Sequence, residues 1–351
     1  MEKHARITIK GLAAQLGVSH TTVSLALRNH ASLPKATRDR IKDFANKAGY
    51  HPDPMLGSLV AYRQRNSPQA FKGALAWLTN YPTRDGWKRP STLGYFTGAR
   101  QRAEELGYRL DEIWLQEPDL DSKRIRQILV SRNVRGLLFP PQPAPNTRID
   151  LNLEGFAAAT FGYSLVNFHL PVVMNHQFRN MMLLVQQLAS GGARKIGLAM
   201  PLANDERVYH NYAAGYWAGT HFSPKAQAVK AVPLHLPKTL EQKTFLQWIE
   251  KYRPEVIIAE AGYADQVLEY LQKAGFSVPD EVGIALVNIP YRNKYYSGID
   301  ENHELIGATA VDVVSDMSRR NETGENDQSK HVLIDGVWKA GKSIRLPAGN
   351  V

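Results

Sequence analysis

Cysteine is absent from this chain of 351 residues. Disulfides, thiolate-ligated zinc and thiol nucleophiles are therefore excluded, and a reducing compartment, the cytoplasm, is the expected location. No window approaches 18 uninterrupted apolar residues, so a membrane-spanning helix is not expected. The opening MEKHARITIK has charges but no apolar run behind them, which speaks against a secretory signal. A P-loop, a Gly-x-Ser-x-Gly elbow and metal-spaced histidines are also missing. No catalytic residue, metal or cofactor is expected. Acidic residues are scarce at one end. Residues 1–65 hold 11 Lys and Arg against 4 Asp and Glu, so +7 of the net +10 sits there. Such an excess suits a polyanion partner, although a solvated basic face accounts for charge alone equally well.

What is present begins with residues 7–62. Thr8 can cap a first helix, and Ile9, Leu12, Ala13 and Leu16 recur on one face. Gly17 suits a left-handed stop. Ser19 caps a second helix whose inner face is Val23, Ala26 and Leu27. Two helices about three residues apart around a Gly form a helix-turn-helix pattern. A third helix is predicted over 35–48, with Pro34 at its start and Ile41, Phe44, Ala45 and Ala48 inward. On the second helix His20, Thr21 and Leu25 point away from the core, where base edges are read. Small hydroxyls at Thr8, Ser19, Thr22 and Ser24 suit phosphate oxygens. Asp53 and Pro54 open a short, marginal helix that Gly57 weakens by about 1 kcal/mol.

The order ITIKGLAAQLGVSHTTVSLALRN, ATRDRI, AGYHPDP and then Leu59 resembles the LacI family of bacterial transcription regulators. The resemblance implies a second helix in the major groove, with His20, Thr21 and Leu25 on bases and Ser19, Thr22, Ser24 and Thr37 on phosphates. It implies a hinge helix in the minor groove, with Leu59 as its apolar wedge. Many members carry Arg where Leu25 stands, so one base pair is expected to be read through a thymine methyl or not at all.

The segment 62–72 is polar and reads as a connector, so the chain divides into a head (1–50), a hinge and linker (51–72) and a large remainder (73–351). In that remainder strand-like runs at 74–79, 110–115, 136–139, 157–161, 172–175, 195–200, 228–234, 256–259, 283–287 and 330–334 alternate with helices at 91–106, 122–131, 177–189, 207–221, 240–251, 264–274 and 303–320. Alternation implies parallel sheets covered by helices, and about ten strands imply two sheets. SGGARKIGLAMP, AGYWAG, KAGFSVPDEVGIALV and SGIDENHELIGATAVDVV resemble the periplasmic-binding-protein type 1 fold of LacI members, two α/β lobes around a ligand cleft. The fold class expected is therefore an all-α three-helix DNA-binding head with a hinge helix, followed by that α/β two-lobe domain.

Ligands in open sheets bind beyond the C-terminal strand ends. That rule nominates Asn80, Tyr163, Asn175 and Asn288 as effector contacts, with Tyr81, Ser164, His176 and Glu260 at the same strand ends, and Arg207, Tyr212 and His210 join them from the start of the helix after Met200; each is also readable as an ordinary loop residue. Trp87 reads as a surface aromatic, and His176 and His210 as structural histidines. Tyr212 stands where family sugar sensors often carry Arg, and Asn288 and Asn302 where they often carry Asp. The carboxylates that grip sugar hydroxyls are thus expected to be sparse. The expected function is sequence-specific transcriptional regulation, repression first, by a homodimer on operator DNA. A small, sugar-like effector would bind between the lobes, and no membrane is involved. Residues 91–106 and 125–129 are the expected subunit contact. No heptad tail follows Ile344, so a coiled-coil tetramer is not expected. The competing readings are a sugar-phosphate isomerase-like enzyme with a helix-turn-helix appendage, and a solute-binding protein.

Overall fold

Thr8 approaches extended (φ −113°, ψ 156°), and its Oγ1 accepts the Gly11 N–H at 3.1 Å, which starts helix α1 (Ile9–Leu16). Gly17 ends it at φ 65°, where a side chain would be strained. Ser19 Oγ accepts the Thr22 N–H at 3.0 Å and opens α2 (His20–Leu27). The chain turns at Asn29 (φ 58°) into α3 (Lys35–Lys47), with Pro34 at its N-cap. Arg38 donates to the Asn29 carbonyl at 3.0 Å and Lys42 to its Oδ1 at 3.2 Å, bracing that turn. Leu12, Ala13, Val23, Ala26, Ile41 and Ala45 close the core between the three helices. The computed structural model describes residues 8–27, 29–30, 32–50, 72–222, 229–325 and 329–345. Leu59 and the expected hinge helix lie outside them.

From Gly73 the chain alternates strand and helix. The first part runs β1 (Gly73–Thr79), α4 (Pro90–Glu105), β2 (Tyr108–Trp114), α5 (Ser122–Ser131), β3 (Val134–Phe139), β4 (Ala157–Thr160) and β5 (Val172–Asn175). Next come α6 (Gln177–Ser190), β6 (Lys195–Leu198), α7 (Leu202–Glu206), α8 (Asn211–Phe222), β7 (Lys230–Ala231), α9 (Gln242–Tyr252) and β8 (Val256–Ala259). The remainder is α10 (Ala264–Lys273), β9 (Gly283–Leu286), β10 (Ser297–Asp300), α11 (His303–Arg319), β11 (His331–Ile334) and β12 (Val337–Lys339). The strands make two six-stranded sheets, ordered β11-β5-β4-β3-β1-β2 and β12-β10-β9-β8-β6-β7. All described pairings are parallel except β10 with β12. β1, β4, β5, β8 and β9 are buried along their whole length, as parallel strands covered on both faces must be.

Each sheet with its helices is a lobe, and the chain crosses between the lobes three times: after β5, after β10 and after β11. After β5, α6 packs Met181, Leu184, Val185 and Leu188 into the second lobe. After β10, α11 returns to the first lobe, where Ile306, Ala310, Val311 and Val314 meet Leu75, Tyr95 and Ala99. Helices α4 and α11 touch through glycine. A Cβ on Gly98 would stand 1.9 Å from the Glu304 carbonyl oxygen, and one on Gly307 1.9 Å from that of Tyr95.

Three expectations differ from what is observed. The helix expected over 207–221 is broken, because Tyr209 and His210 turn left-handed (φ 53° and 59°) between α7 and α8. The strand expected over 228–234 is only β7, and the short β10 and β12 were not anticipated. Trp87 is not on the surface; it is 1% exposed, with Trp77 and Phe96 at ring distances of 5.7 and 5.0 Å. Ile125 and Leu129 face the core under the first sheet, and the apolar face of α4 packs against α11.

Candidate functional site

In the head, His20 and Thr21 are the first two residues of α2 and both are exposed, while Val23 and Ala26 face the core. Leu25 is half-buried on the outer side. Ser19 and Thr22 share a hydroxyl–hydroxyl hydrogen bond of 2.8 Å at the same end. Ser24 is half-buried on α2, Thr37 lies in the first turn of α3, and Thr8 caps α1. The α2 N-terminus therefore offers donors and acceptors in one exposed spot, with a rigid core behind it.

The second site is a cleft of about 730 Å³ at the C-terminal ends of both sheets. Tyr163 and Asn175 line it from the first lobe, and Arg207, Tyr212 and Asn288 from the second. Asn80 does not line it. Its Oδ1 accepts from Gln116 at 2.5 Å, and its neighbour Tyr81 takes the place in the wall, held by a 2.9 Å bond to the Pro141 carbonyl.

Two carboxylates line the cleft: Glu260, nominated from its strand end, and Glu301, which was not. Glu260 caps the turn Ala261–Tyr263 and is oriented by Gly262 N–H, Asn204 and Asn288 at 3.0–3.1 Å. Asn288 is thereby occupied, since its Oδ1 also accepts the Ala261 N–H at 2.8 Å. Glu301 follows β10 at the second crossing and is 3% exposed. It accepts from Asn175, while Asn175 Oδ1 accepts from Gln177 at 2.6 Å, so two crossings are joined by one polar network. Tyr95 donates to Glu301 at 3.4 Å, and His303 Nε2 stands 3.5 Å away. Burial pushes the Glu301 carboxyl up to about 7. The same desolvation raises the Tyr95 and Tyr212 phenols well above their usual range. Asn302 makes no wall. It sits at φ 58° before α11 and donates to the Asp335 carbonyl at 2.7 Å.

Away from the crossings, further contacts span the lobes. Arg207, at the end of α7, donates to the Gln142 carbonyl at 2.6 Å, and the Tyr163 and Tyr209 rings approach to 4.6 Å. The broken helix makes both possible. Asp205, fully buried, accepts the Tyr212 and Ala213 N–H groups at 3.1 and 3.0 Å and lies 3.0 Å from His210 Nδ1. That carboxylate caps α8 and holds the left-handed pair that turns Arg207 and Tyr209 toward the first lobe. His210 is therefore structural, as is His176, which caps α6.

Arg89, Gln142, Tyr95 and Glu301 were missed in the sequence. Glu301 follows β10, a strand too short and too polar to be read from the sequence. Among the described residues no cluster of ligands suits a metal ion, and no helix is long and apolar enough to cross a membrane.

Residues 8–53 match the model of bacterial regulatory proteins of the lacI family, and residues 185–344 that of the periplasmic binding protein-like domain. An HTH-type transcriptional regulator of Mycolicibacterium smegmatis is 35% identical over 106 residues, which is 30% of this chain and 27% of that protein. The chain thus spans only about a quarter of the length of that curated relative. Among solved structures, the lac repressor dimer bound to operator and the anti-inducer ONPF is similar with a TM-score of 0.52, at 14% identity, over 97% of this chain and 99% of that one. The transcriptional regulator CelR in complex with cellobiose gives 0.51 at 16% identity over 96% and 100%. At such identity these two speak for the fold. Together with the two matched models, they show that the chain joins a helix-turn-helix head of the lacI family to a periplasmic-binding-protein-like domain.

Proposed function

We propose that this protein is a sequence-specific DNA-binding transcriptional regulator, a repressor, whose operator affinity is set by a small polyhydroxylated molecule in the cleft. The observation that carries the reading is the exposed N-terminal end of α2, where His20 and Thr21 stand clear of a closed three-helix core. His20, Thr21 and Leu25 read bases, while Thr8, Ser19, Thr22, Ser24 and Thr37 meet phosphates. Residues 1–50 form the head, 51–72 the hinge and linker with Leu59 as the minor-groove wedge, and 73–351 the effector-binding and dimerisation part. The protein acts in the cytoplasm as a homodimer, each head on one half-site, and catalyses no reaction. The cleft supports the ligand part. It lies where strands of both lobes end, and it is lined by tyrosines, Glu260 and Glu301. The cellobiose complex of a structural neighbour accords with a sugar-like ligand.

Selection of duplexes from a random library by the full chain tests the reading. A two-fold-symmetric consensus is expected, because a dimer places two identical recognition helices. A selection that never converges contradicts it.

A further inference from the structure

Two arginines line the cleft near Tyr81, and among the described residues neither is ion-paired. Arg89 precedes α4, and Arg207 ends α7; both line the cavity, one from each lobe. Arg89 lies over the Tyr81 ring at 5.6 Å, and Arg207 donates to the Gln142 carbonyl. Among the described residues neither has an acidic group within ion-pair distance. Glu260, the nearest candidate, already accepts from Asn204, Asn288 and Gly262. Arg207 is held at a cost: burial and the neighbouring Arg89 both weaken its hold on its proton. Between the arginines, Pro90, Ser91 and Thr92 present the first turn of the 16-residue α4, which has no acidic residue. Its free N–H groups and dipole favour a negative group there. Glu260 and Glu301 line the same cavity beside Asn175 and Tyr212, and the Glu260 charge acts on Arg207 in the opposite sense to burial.

We infer that the ligand of this cleft is a sugar carrying an anionic group, a phosphate or a carboxylate, clamped between Arg89 and Arg207, with its hydroxyls on the Glu260 and Glu301 side. The inference rests on the reading of the cleft as a polyol site. Guanidinium groups from both lobes would close on one anion, so charge recognition and lobe closure become the same event. Arg207 reaches the first lobe through the Gln142 carbonyl, and the anion would add Arg89 to that contact.

Calorimetric titration of the full chain with pentoses and hexoses, each beside its phosphate and its sugar acid, with inorganic phosphate as a further probe, tests this. A charged member is expected to bind at least about tenfold more tightly than its neutral parent. Arg89→Gln and Arg207→Gln should each bring the affinity for the charged member down toward that for its neutral parent, read as the ratio of the two within one variant. Arg89 is exposed, so its variant keeps the fold, and the melting temperature of each variant checks this. The phosphate and acid arms tell which anion is taken. Neutral parents binding as tightly as their charged forms would overturn the inference and spare the polyol reading. Inorganic phosphate binding as tightly as every sugar phosphate, or no sugar of either kind binding, would overturn both.

Discussion

Arg207 of the second lobe donates to the Gln142 carbonyl of the first at 2.6 Å. Gln142 is itself fully buried, its backbone N–H held by Ser164 Oγ at 2.8 Å, so the acceptor is rigid. A hydrogen bond from a charged donor contributes about 1.5–3 kcal/mol. Arg207→Ala should therefore shift the lobes toward an open arrangement by roughly one to two powers of ten. Small-angle scattering of the ligand-free protein should show a larger radius of gyration for the variant; identical curves would mean that other contacts keep the lobes together.

Glu301 makes stability depend on pH. Its folded value near 7 lies above the ordinary 4.5 because burial disfavours the charge. Between these values the folded chain keeps a proton that the unfolded chain has released. Stability should fall as pH rises through this window, by up to about 3 kcal/mol, and level off above 7. Melting temperatures measured from pH 5 to 8.5 should show that decline, and Glu301→Gln should flatten it. An equal decline in the variant would assign the effect to other groups.

The Asp205 carboxylate braces the junction between α7 and α8. Asp205→Ala leaves the Tyr212 and Ala213 N–H groups and the left-handed pair without that acceptor, a loss of about 2–4 kcal/mol. Asp205→Asn, which keeps an acceptor, should lose less. Chemical denaturation midpoints of the two variants compare them directly, and equal losses would mean that the charge rather than the acceptor is what counts.

The head and the cleft were legible to different degrees. Thr8, Gly17 and Ser19 act locally, through caps and a left-handed stop, so sequence alone placed α1 and α2 to within a residue. Strand ends nominated Tyr163, Asn175 and Asn288, and the start of the helix after Met200 nominated Arg207 and Tyr212; all five line the cleft. The failures are non-local. Asn80 and Tyr81 are adjacent, and only tertiary packing decides that Tyr81 faces the cavity. Trp87 lies in a polar loop whose neighbours give no sign that it fills the space between Trp77 and Phe96. Glu301 depended on β10, whose four residues SGID carry no alternating or apolar pattern and pair only through the sheet. The break at Tyr209 and His210 follows from Asp205, which lies before the helix expected over 207–221 and caps α8 within it.

Thr21 and Leu59 divide the proposed DNA contacts by mechanism. Thr21→Ala should change base preference at one position of each half-site, costing about 1–3 kcal/mol against the preferred base. Leu59→Ala should reduce DNA bending and specific affinity while heads still engage. Competition assays over single-base operator variants, with a circular-permutation bending assay, separate the two; a uniform loss for Thr21→Ala would make it a phosphate contact.

The central claim is tested most directly by fluorescence anisotropy of the full chain on the duplex obtained by selection, against a scrambled duplex of equal length and composition at the same salt. A regulator of this kind should bind the selected duplex at least about 10³-fold more tightly, and substituting His20 and Thr21 together by alanine should bring the two affinities close. Equal affinity of the unaltered protein for both duplexes would contradict the account.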